Sequence, residues 1–323
     1  MAKLFIEKNY TEIKILSTIA LCIPAYNAAW CLPRLLQSAK DQTIPFDEIL
    51  IYNDCSTDDT EEIAKKYGAT VFNGTQNMGC SYGKNKLAEV AKSDWLHFHD
   101  ADDELLPNFS TIAHKWLEQK NLDIILLNYE YREYETGNFL SFPSYNRLKL
   151  IEDPYLFLLE NKIVNFAICK RESFLRIGGF DLDPNVLYNE DRAFYARAII
   201  SGLKFDYEDT VTCVNFKYPE SMSQANDLKC AIAYLNVSKK IIKSIGSKYP
   251  KEIANGLWQN ATIAAVHQDW ELVKEHIKIA KNLNVHHPTN QNLTIRLLSI
   301  ISPFFAFWFR EKMIRIFKHH LRK

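Results

Sequence analysis

The sequence has no surplus of positive charge, because 39 lysines and arginines balance 39 aspartates and glutamates. Proteins whose main partner is nucleic acid usually carry a clustered basic excess, so no nucleic-acid partner is expected. The seven cysteines are odd in number, and no two of them form a C-x-x-C pair. Cys22, Cys169 and Cys213 lie inside apolar runs, which predicts buried free thiols in a reducing compartment.

Long hydrophobic runs are also missing. No segment approaches the roughly 20 apolar residues that span a bilayer. The N-terminus shows no basic region followed by an apolar stretch and a small-residue cleavage site, which is the pattern of a signal peptide. The sequence therefore predicts a cytoplasmic location.

From about residue 18, short apolar runs alternate with helical periodicity. Strands are predicted at residues 18–23, stopped by Pro24, and at 49–52, 70–72 and 95–99, with helices at 32–39, after Ser56 or Thr57, and at 81–91. Strands that alternate with helices indicate a parallel sheet covered on both faces. The predicted fold class is α/β, with a Rossmann-like mixed, mainly parallel sheet flanked by helices.

The second half of the chain divides in two. Further strands are predicted at 124–127, 163–169 and 211–216, with a helix from about Asp191 to Ile200. After about Asn226 the pattern is helical only, and segments 258–267 and 270–283 resemble an antiparallel helix pair. We therefore expect a sheet domain over residues 1–225 and a helical C-terminal region over 226–323.

Polar residues cluster at three predicted strand ends. The clusters are Pro24-Ala25-Tyr26-Asn27, Asn53-Asp54-Cys55-Ser56-Thr57-Asp58 and Asp100-Ala101-Asp102-Asp103. Ligands of open parallel sheets bind beyond the carboxyl ends of the strands. Tyr26 can stack on a base, Asp54 can accept a hydrogen bond from a base N–H, and the carboxylates after residue 99 suit Mg²⁺ or Mn²⁺. Each cluster alone also fits a turn or a helix cap, but together they favour a ligand site.

These clusters resemble those of inverting family-two glycosyltransferases of the GT-A fold. The resemblance runs from about residue 18 to 220 and rests on segments 23–27, 51–58, 77–85 and 100–103, on Gly178-Gly179-Phe180-Asp181, and on Glu190-Asp191-Arg192. Beyond about residue 225 no such signature is present. The resemblance implies a GT-A fold and a nucleotide-sugar donor.

The resemblance also implies the site residues. Those for the nucleotide-sugar are Pro24, Ala25, Tyr26, Asn27, Asp54, Asn77, Gly79, Lys84, Asp100 and Ala101. Asp102 is implied as the direct metal ligand with Asp100 beside it, and Asp191 as the general base, with Glu190 also in the catalytic motif. The chain departs from the family where Asn53 replaces a usual aspartate and Cys55 a common glycine, whose backbone adopts positive φ more readily.

The chemistry of such a site is coherent. A divalent cation stabilises the charge that develops on a diphosphate leaving group. A carboxylate in reach of the acceptor hydroxyl removes its proton as it attacks the anomeric carbon, and in-line attack inverts that carbon. Asp191 would open a helix, whose dipole favours the ionised carboxylate. The alternative role for Asp191 is a plain helix N-cap.

Two further features each have two interpretations. The tyrosine-rich stretch from Tyr129 to Tyr145 is either a stacking platform for acceptor sugars or an ordinary hairpin that turns near Gly137. His97 and His99 face the same side of one strand. Contact with the diphosphate or simple packing is favoured over metal ligation for these two histidines.

The C-terminus combines aromatic and basic residues. Phe304-Phe305-Ala306-Phe307-Trp308-Phe309 is followed by Arg310, Lys312, Arg315, Lys318, Arg322 and Lys323, with Glu311 as the lone acid. This composition predicts an interfacial helix drawn to anionic lipid headgroups. The alternative is a terminal helix that packs its aromatics on the domain or on a second copy.

The predicted function is metal-dependent, inverting transfer of a sugar from a nucleotide-sugar, by default a UDP-sugar. The acceptor is a hydroxyl of a growing surface glycan, such as a lipopolysaccharide, capsule or lipid-linked glycan at the inner face of a membrane. One alternative is a sugar-nucleotide nucleotidyltransferase, but the glycine-rich basic loop that it would need after the first strand is missing. The other is a non-catalytic nucleotide- or glycan-binding protein.

Overall fold

The computed structural model describes residues 17–119, 121–219, 221, 225–289 and 291–318. The strands within these residues are β1 (Ile19–Ala25), β2 (Glu48–Asn53), β3 (Thr70–Asn73), β4 (Trp95–Phe98), β5 (Glu104–Leu105), β6 (Ile124–Glu133), β7 (Phe139–Ser141), β8 (Ala167–Lys170) and β9 (Phe205–Lys217). The helices are α1 (Leu32–Lys40), α2 (Thr60–Lys66), α3 (Cys80–Val90), α4 (Phe109–Leu117), α5 (Arg147–Glu152), α6 (Pro154–Glu160), α7 (Arg171–Arg176), α8 (Glu190–Ile200), α9 (Asp227–Ile245), α10 (Pro250–Val266), α11 (Trp270–Asn282), α12 (Leu293–Ile301) and α13 (Pro303–Phe317).

All of these strands belong to one mixed sheet. Its order is β3-β2-β1-β4-β8-β6-β9-β5, with β7 paired to β6. Strands β1 to β4 pair in parallel, whereas β8 is antiparallel to both β4 and β6. This arrangement confirms the α/β class, the mixed sheet flanked by helices and the helical C-terminal end.

Strand β1 continues through Pro24, so the expectation that Pro24 stops it is wrong. The backbone positions of Cys22 and Pro24 are directed towards β4 rather than β2. The pairing of β1 with β4 ends at the pair Cys22 and Phe98. The pairing with β2 continues as far as Ala25 and Asn53. At Pro24 the pairing with β4 has already ended, so no ladder hydrogen bond needs the N–H that proline lacks. Proline is therefore tolerated in this central strand.

Two other predicted boundaries move. Helix α2 begins at Thr60, with Asp59 as its N-cap residue, rather than after Ser56 or Thr57. Strand β8 is Ala167–Lys170, so it begins four residues later and ends one residue later than the predicted run 163–169. The predicted helix pair after residue 258 is confirmed as α10 and α11, joined at Gln268.

Both faces of the sheet are buried. Alternate residues of β1 enter different hydrophobic clusters: Leu21 and Ile23 pack on one face, Ala20 and Cys22 on the other. Helices α9 to α13 pack into the cluster that contains Ala20, so the core continues across residue 225. The division into two units at that residue stays a prediction.

The cysteine and helix-length predictions can also be compared with the structure. All seven cysteines are free, and Cys22, Cys169 and Cys213 are buried as expected. Among the helices of the described residues, none is both long and apolar enough to cross a membrane.

Candidate active site

The loops after β1 and β2 are tied together by side-chain to backbone hydrogen bonds. Asn27 accepts a hydrogen bond from the backbone N–H of Thr57 at 2.8 Å, and its own N–H donates to Ser56 Oγ at 2.9 Å. Asn27 has a φ of 47°, a conformation that asparagine tolerates better than most residues. Tyr26 on the same loop is 52% exposed, so its ring is available for stacking on a base.

Asp54 holds the loop that precedes α3. Its two carboxylate oxygens accept the backbone N–H groups of Met78 and Gly79 at 2.8 and 2.7 Å, and the side chain is buried. Gly79 has a φ of 87° as the residue before α3, a backbone that glycine adopts without strain. Asp54 therefore brings the predicted loop residues Asn77 and Gly79 beside the ends of β1 and β2.

The two departures from the family pattern have structural consequences. The side-chain amide of Asn53 donates a hydrogen bond to Asn73 Oδ1 at 2.9 Å and so links β2 to β3. An ionised aspartate at this position has no proton to donate and could not make this bond. Cys55 adopts a φ of 64°, the left-handed conformation that the family's usual glycine would reach more easily.

Lys84 connects the α3 end of the site to the acidic loop. It is a buried lysine whose Nζ lies 3.0 Å from Asp100 Oδ1. Burial alone would lower its pKa, but the nearby Asp100, Cys80, Asp191 and Glu190 raise it above the ordinary value. Lys84 therefore stays charged and supplies a fixed positive charge next to Asp100.

The three carboxylates after β4 take different roles. Asp103 points away from the loop and accepts hydrogen bonds from Asn215 Nδ2 at 2.8 Å and the Phe216 N–H at 2.9 Å, both on β9. Asp102 accepts from the Tyr218 hydroxyl at 2.5 Å. Burial and the negative charge of Asp100 raise the pKa of Asp102.

Asp100 and Asp102 fit a divalent cation. The negative charge of Asp100 raises the pKa of Asp102, and a cation between the two carboxylates would offset their repulsion; oxygen is the ligand type that Mg²⁺ and Mn²⁺ prefer. Tyr218 donates to one oxygen of Asp102, so a cation would share this carboxylate with the tyrosine hydroxyl. The carboxylate of Asp103 already accepts two hydrogen bonds from β9.

Asp191 lies in the first turn of α8, so the helix prediction is confirmed. The expectation that the helix dipole keeps it ionised is wrong, because burial raises its pKa to about 7. Lys84 opposes this shift, and Glu190 and Asp100 add to it. Its Oδ1 is buried without a hydrogen-bond partner among the described residues. Neighbouring Glu190 accepts a hydrogen bond from the Cys80 thiol at 3.6 Å.

A cavity of about 750 Å³ brings the acidic residues together. Asp100, Asp102, Glu190 and Asp191 all line it. The residues predicted to bind the nucleotide at the ends of β1 and β2 do not line this cavity; Lys84 links the two regions through Asp100. The cavity therefore lies on the far side of the acidic loop from the predicted base site.

The opposite wall of the cavity comes from helices that the sequence patterns did not assign to the site. Tyr234 of α9 and Asn255, Gly256 and Gln259 of α10 line it. No signature marks these residues in the sequence, because isolated amides on an amphipathic helix look like an ordinary solvated face. Tyr218 was also missed, because a single tyrosine directly after a strand carries no signature of its own. None of the tyrosines from Tyr129 to Tyr145 lines the cavity; they form the β6–β7 hairpin, which turns at Gly137.

His97 and His99 are packing residues. His97 Nδ1 is hydrogen-bonded to the Ala167 carbonyl at 3.0 Å, and its Nε2 lies 2.9 Å from His99 Nδ1. Burial lowers the pKa of both rings, so both are neutral. Their burial and mutual contacts fit packing, although neutral imidazole is also the form that binds metals, and the ligand atoms of His97, His99 and Cys213 lie within 4.8 Å of one another.

This architecture is a GT-A-like sheet with polar loops at the ends of β1 and β2 and an acidic loop after β4. Residues 20–178, just under half of the chain, match the model described as glycosyl transferase family 2, and this part of the chain belongs to that family. Its similarity to YibD, an uncharacterized glycosyltransferase of Escherichia coli strain K12, is 36% identity over 124 residues, 37% of this chain and 36% of that protein. The chain spans about a third to a half of the length of the curated relatives that it matches first.

Solved structures share the fold over most of the chain. Residues 1–349 of TarS from S. aureus, solved in complex with UDP-GlcNAc, match with a TM-score of 0.68 and 14% identity, over 92% of this chain and 91% of that one. The mannosyltransferase PcManGT from Pyrobaculum calidifontis, in complex with GDP-Man and Mn²⁺, matches with a TM-score of 0.55 and 16% identity, over 93% and 87%. At these identities the likeness shows the fold alone.

Proposed function

We propose that this protein is a metal-dependent, inverting glycosyltransferase that moves a sugar from a nucleotide-sugar to a hydroxyl of a growing surface glycan. One observation carries the proposal. An unpartnered, buried carboxylate oxygen of Asp191 lies at the same cavity as Asp100 and Asp102, and the Asp191 pKa is about 7. A carboxylate with this pKa can accept a proton near neutral pH.

In this mechanism Asp191 takes the proton of the acceptor hydroxyl. The hydroxyl oxygen forms a bond to the anomeric carbon as that carbon's bond to the diphosphate breaks, and the nucleoside diphosphate departs with the bonding electrons. Attack opposite the leaving group inverts the anomeric carbon. Glu190 lies beside the base, and Lys84 holds a positive charge beside Asp100.

A divalent cation, Mg²⁺ or Mn²⁺, would be held by Asp102 and Asp100 and would supply positive charge to the diphosphate. Tyr26 would stack on the base, with Pro24, Ala25 and Asn27 forming the rest of that loop. Ala101, Asn77 and Gly79 would contact the donor through the loops that carry them. Uridine is the expected base; of the two structural neighbours, one is solved with UDP-GlcNAc and the other with GDP-Man.

The acceptor side of the proposal rests on the cavity wall from α9 and α10. Amide side chains at Asn255 and Gln259 and the ring of Tyr234 suit a polyhydroxylated ligand, since amides pair with hydroxyls and aromatic rings cover sugar faces. We place the acceptor, a glycan or lipid-linked glycan, against this wall. The enzyme would act in the cytoplasm, peripherally at the inner face of a membrane, through its C-terminal helices.

A donor screen tests the proposal. Purified protein is mixed with a panel of nucleotide-sugars, with Mn²⁺, with Mg²⁺ or with chelator, and scored by thermal shift and by slow donor hydrolysis. One donor that both stabilises and turns over only with metal supports the transferase. Stabilisation without turnover, on any acceptor supplied, would favour a binding protein. Pyrophosphate release from a nucleoside triphosphate and a sugar phosphate would favour a nucleotidyltransferase.

The pH dependence of turnover follows from Asp191. Its pKa is raised from an ordinary 3.8 to about 7, and only the deprotonated form is a base. We expect kcat/KM to rise with pH with a midpoint near or somewhat below pH 7, because a bound cation adds positive charge nearby and lowers the pKa. A steady-state pH profile measures this midpoint. A rate that is level from pH 5 to 8 would remove Asp191 from the base role.

Lys84→Met should move that midpoint upward. Lys84 lowers the pKa of Asp191, so removal of its charge favours the protonated base. Lys86→Met is the matched control, because Lys86 lies on the same helix but pairs with Glu89 at the surface. Equal midpoints for the two variants would contradict the electrostatic role of Lys84.

A further inference from the structure

Helix α12 carries an apolar stripe that faces outward. Leu293, Leu297, Ile300 and Ile301 are between 57% and 82% exposed. They recur at the spacing of one helix face. The inner face of the same helix is formed by Ile295 and Ser299, which are buried. Four of the six leucines and isoleucines of α12 therefore point away from the core, while Ile295 and Leu298 pack against it.

Helix α13 divides its aromatic residues between the core and the surface. Phe307 stacks on Trp258 with ring centroids 6.2 Å apart, and Phe304 meets Trp270 edge-on at 5.9 Å. For these two residues the packing alternative holds. Phe305 and Trp308 stack on each other at 5.9 Å and remain exposed. The outward residues of α12 and the exposed pair Phe305 and Trp308 flank the corner at Ser302, and we call them the α12–α13 face.

The exposed charged side chains of residues 292–318 are all positive. Residues 292–318 contain five lysines and arginines and a single acid, Glu311. Glu311 is buried and lies 2.9 Å from Arg315. Arg296, Lys312 and Lys318 are exposed, and the Lys312 ammonium lies 5.9 Å from the Trp308 ring. The last five residues, with Arg322 and Lys323, lie outside the described part of the chain.

We infer that the α12–α13 face docks on an anionic lipid bilayer, with α12 as its main apolar contact. The face combines exposed aliphatic side chains with neighbouring cations, and residues 292–318 carry no exposed acid. This combination suits the boundary of a bilayer, where acyl chains meet anionic headgroups. Tryptophan with a neighbouring lysine is typical of that boundary. A second copy of the chain would bring like charges face to face, which opposes self-association.

The face is connected to the cavity wall. The segment between α11 and α12 is bonded to α10: Thr289 donates to Asn255 Oδ1 at 2.8 Å, and Gln291 donates to Thr262 Oγ1 at 3.2 Å. Asn255 also lines the cavity. An acceptor carried by a membrane lipid would therefore enter beside α10. This entry route deepens the proposed function and is the one step that rests on it.

Vesicle sedimentation tests the docking surface without any substrate. The full chain is mixed with phosphatidylcholine vesicles with and without about a third phosphatidylglycerol. We expect at least a tenfold stronger partition to the anionic vesicles, and weaker partition at high salt. The double variant Leu297→Glu/Ile301→Glu should lose at least tenfold. The matched control Leu148→Glu/Ile151→Glu changes two exposed residues of α5 in the same way and should bind like the parent chain.

Several outcomes would overturn the inference. The first is no partition of the parent chain to anionic vesicles, and the second is an equal loss of partition in both double variants. The third is a dimer, detected by light scattering, that only Leu297→Glu/Ile301→Glu dissociates into monomers. Melting temperature and donor hydrolysis in solution should be the same in all three proteins, because α12 lies away from Asp191. A chain that docks on vesicles but turns over no donor would contradict the proposed function and leave the docking surface standing.

Discussion

Replacement of Asp191 by asparagine is expected to lower sugar transfer by about 10²–10⁴-fold while the nucleotide-sugar still binds. Asparagine has nearly the same shape but cannot take a proton at neutral pH. The carboxylate is also held at an unfavourable pKa of about 7 by burial, so removal of its charge should not destabilise the fold. Transfer is measured by product formation, donor affinity by titration, and stability by thermal melting.

The control for this variant is Asp209→Asn, an exposed carboxylate between two segments of β9. It makes the same chemical change away from the cavity and should retain parental transfer. If Asp191→Asn transfers sugar at the parental rate, the residue is only the second position of α8 and the base lies elsewhere. If both donor binding and transfer disappear, Asp191 holds the site together rather than moving a proton.

Alanine substitutions at Asp102 and Asp103 should separate catalysis from stability. Asp102→Ala removes a carboxylate that is crowded by Asp100, so we expect an unchanged or slightly higher melting temperature. The same variant should lose the stabilisation that saturating Mn²⁺ gives, which is about 2.7 kcal/mol at a hundredfold excess over Kd. Transfer should fall at least about 100-fold, because Lewis-acid stabilisation contributes several kcal/mol.

Asp103→Ala should behave in the opposite way. It leaves the Asn215 amide and the Phe216 N–H without their acceptor inside the protein, at a cost of about 1–3 kcal/mol for each group. The melting temperature should drop by several degrees, and folded protein should still respond to Mn²⁺. Two variants that lose the Mn²⁺ response equally would place both carboxylates at the cation.

The resemblance in the N-terminal half predicted more of the site than the residues alone could. Local patterns located the strand ends that carry Tyr26, Asp54 and Asp102, because polar residues that interrupt an apolar run mark where a strand leaves the sheet. The same patterns wrongly predicted that β1 ends before Pro24. Proline is compatible with β1 only because the β4 ladder ends at Cys22, and that depends on how far another strand extends.

The C-terminal half was harder to predict for a related reason. The aromatic block before Arg310 was identified, but its division into buried Phe307 and exposed Trp308 depends on where α10 and α11 lie. The stripe on α12 looks like a core-facing helix in the sequence, since apolar periodicity states which residues share a face and not which way that face points. Packing turned that stripe outward.

The sequence by itself determined the α/β alternation, the polar clusters at the strand ends and the family, because these are encoded in residues close together along the chain. Only the tertiary structure decided which carboxylate serves which purpose. All three carboxylates line the cavity, but Asp103 is bonded to β9 by partners more than a hundred residues away in sequence, whereas Asp100 and Asp102 are not. The pKa of Asp191 was likewise set by packing, since the cost of burying a charge depends on everything that surrounds it.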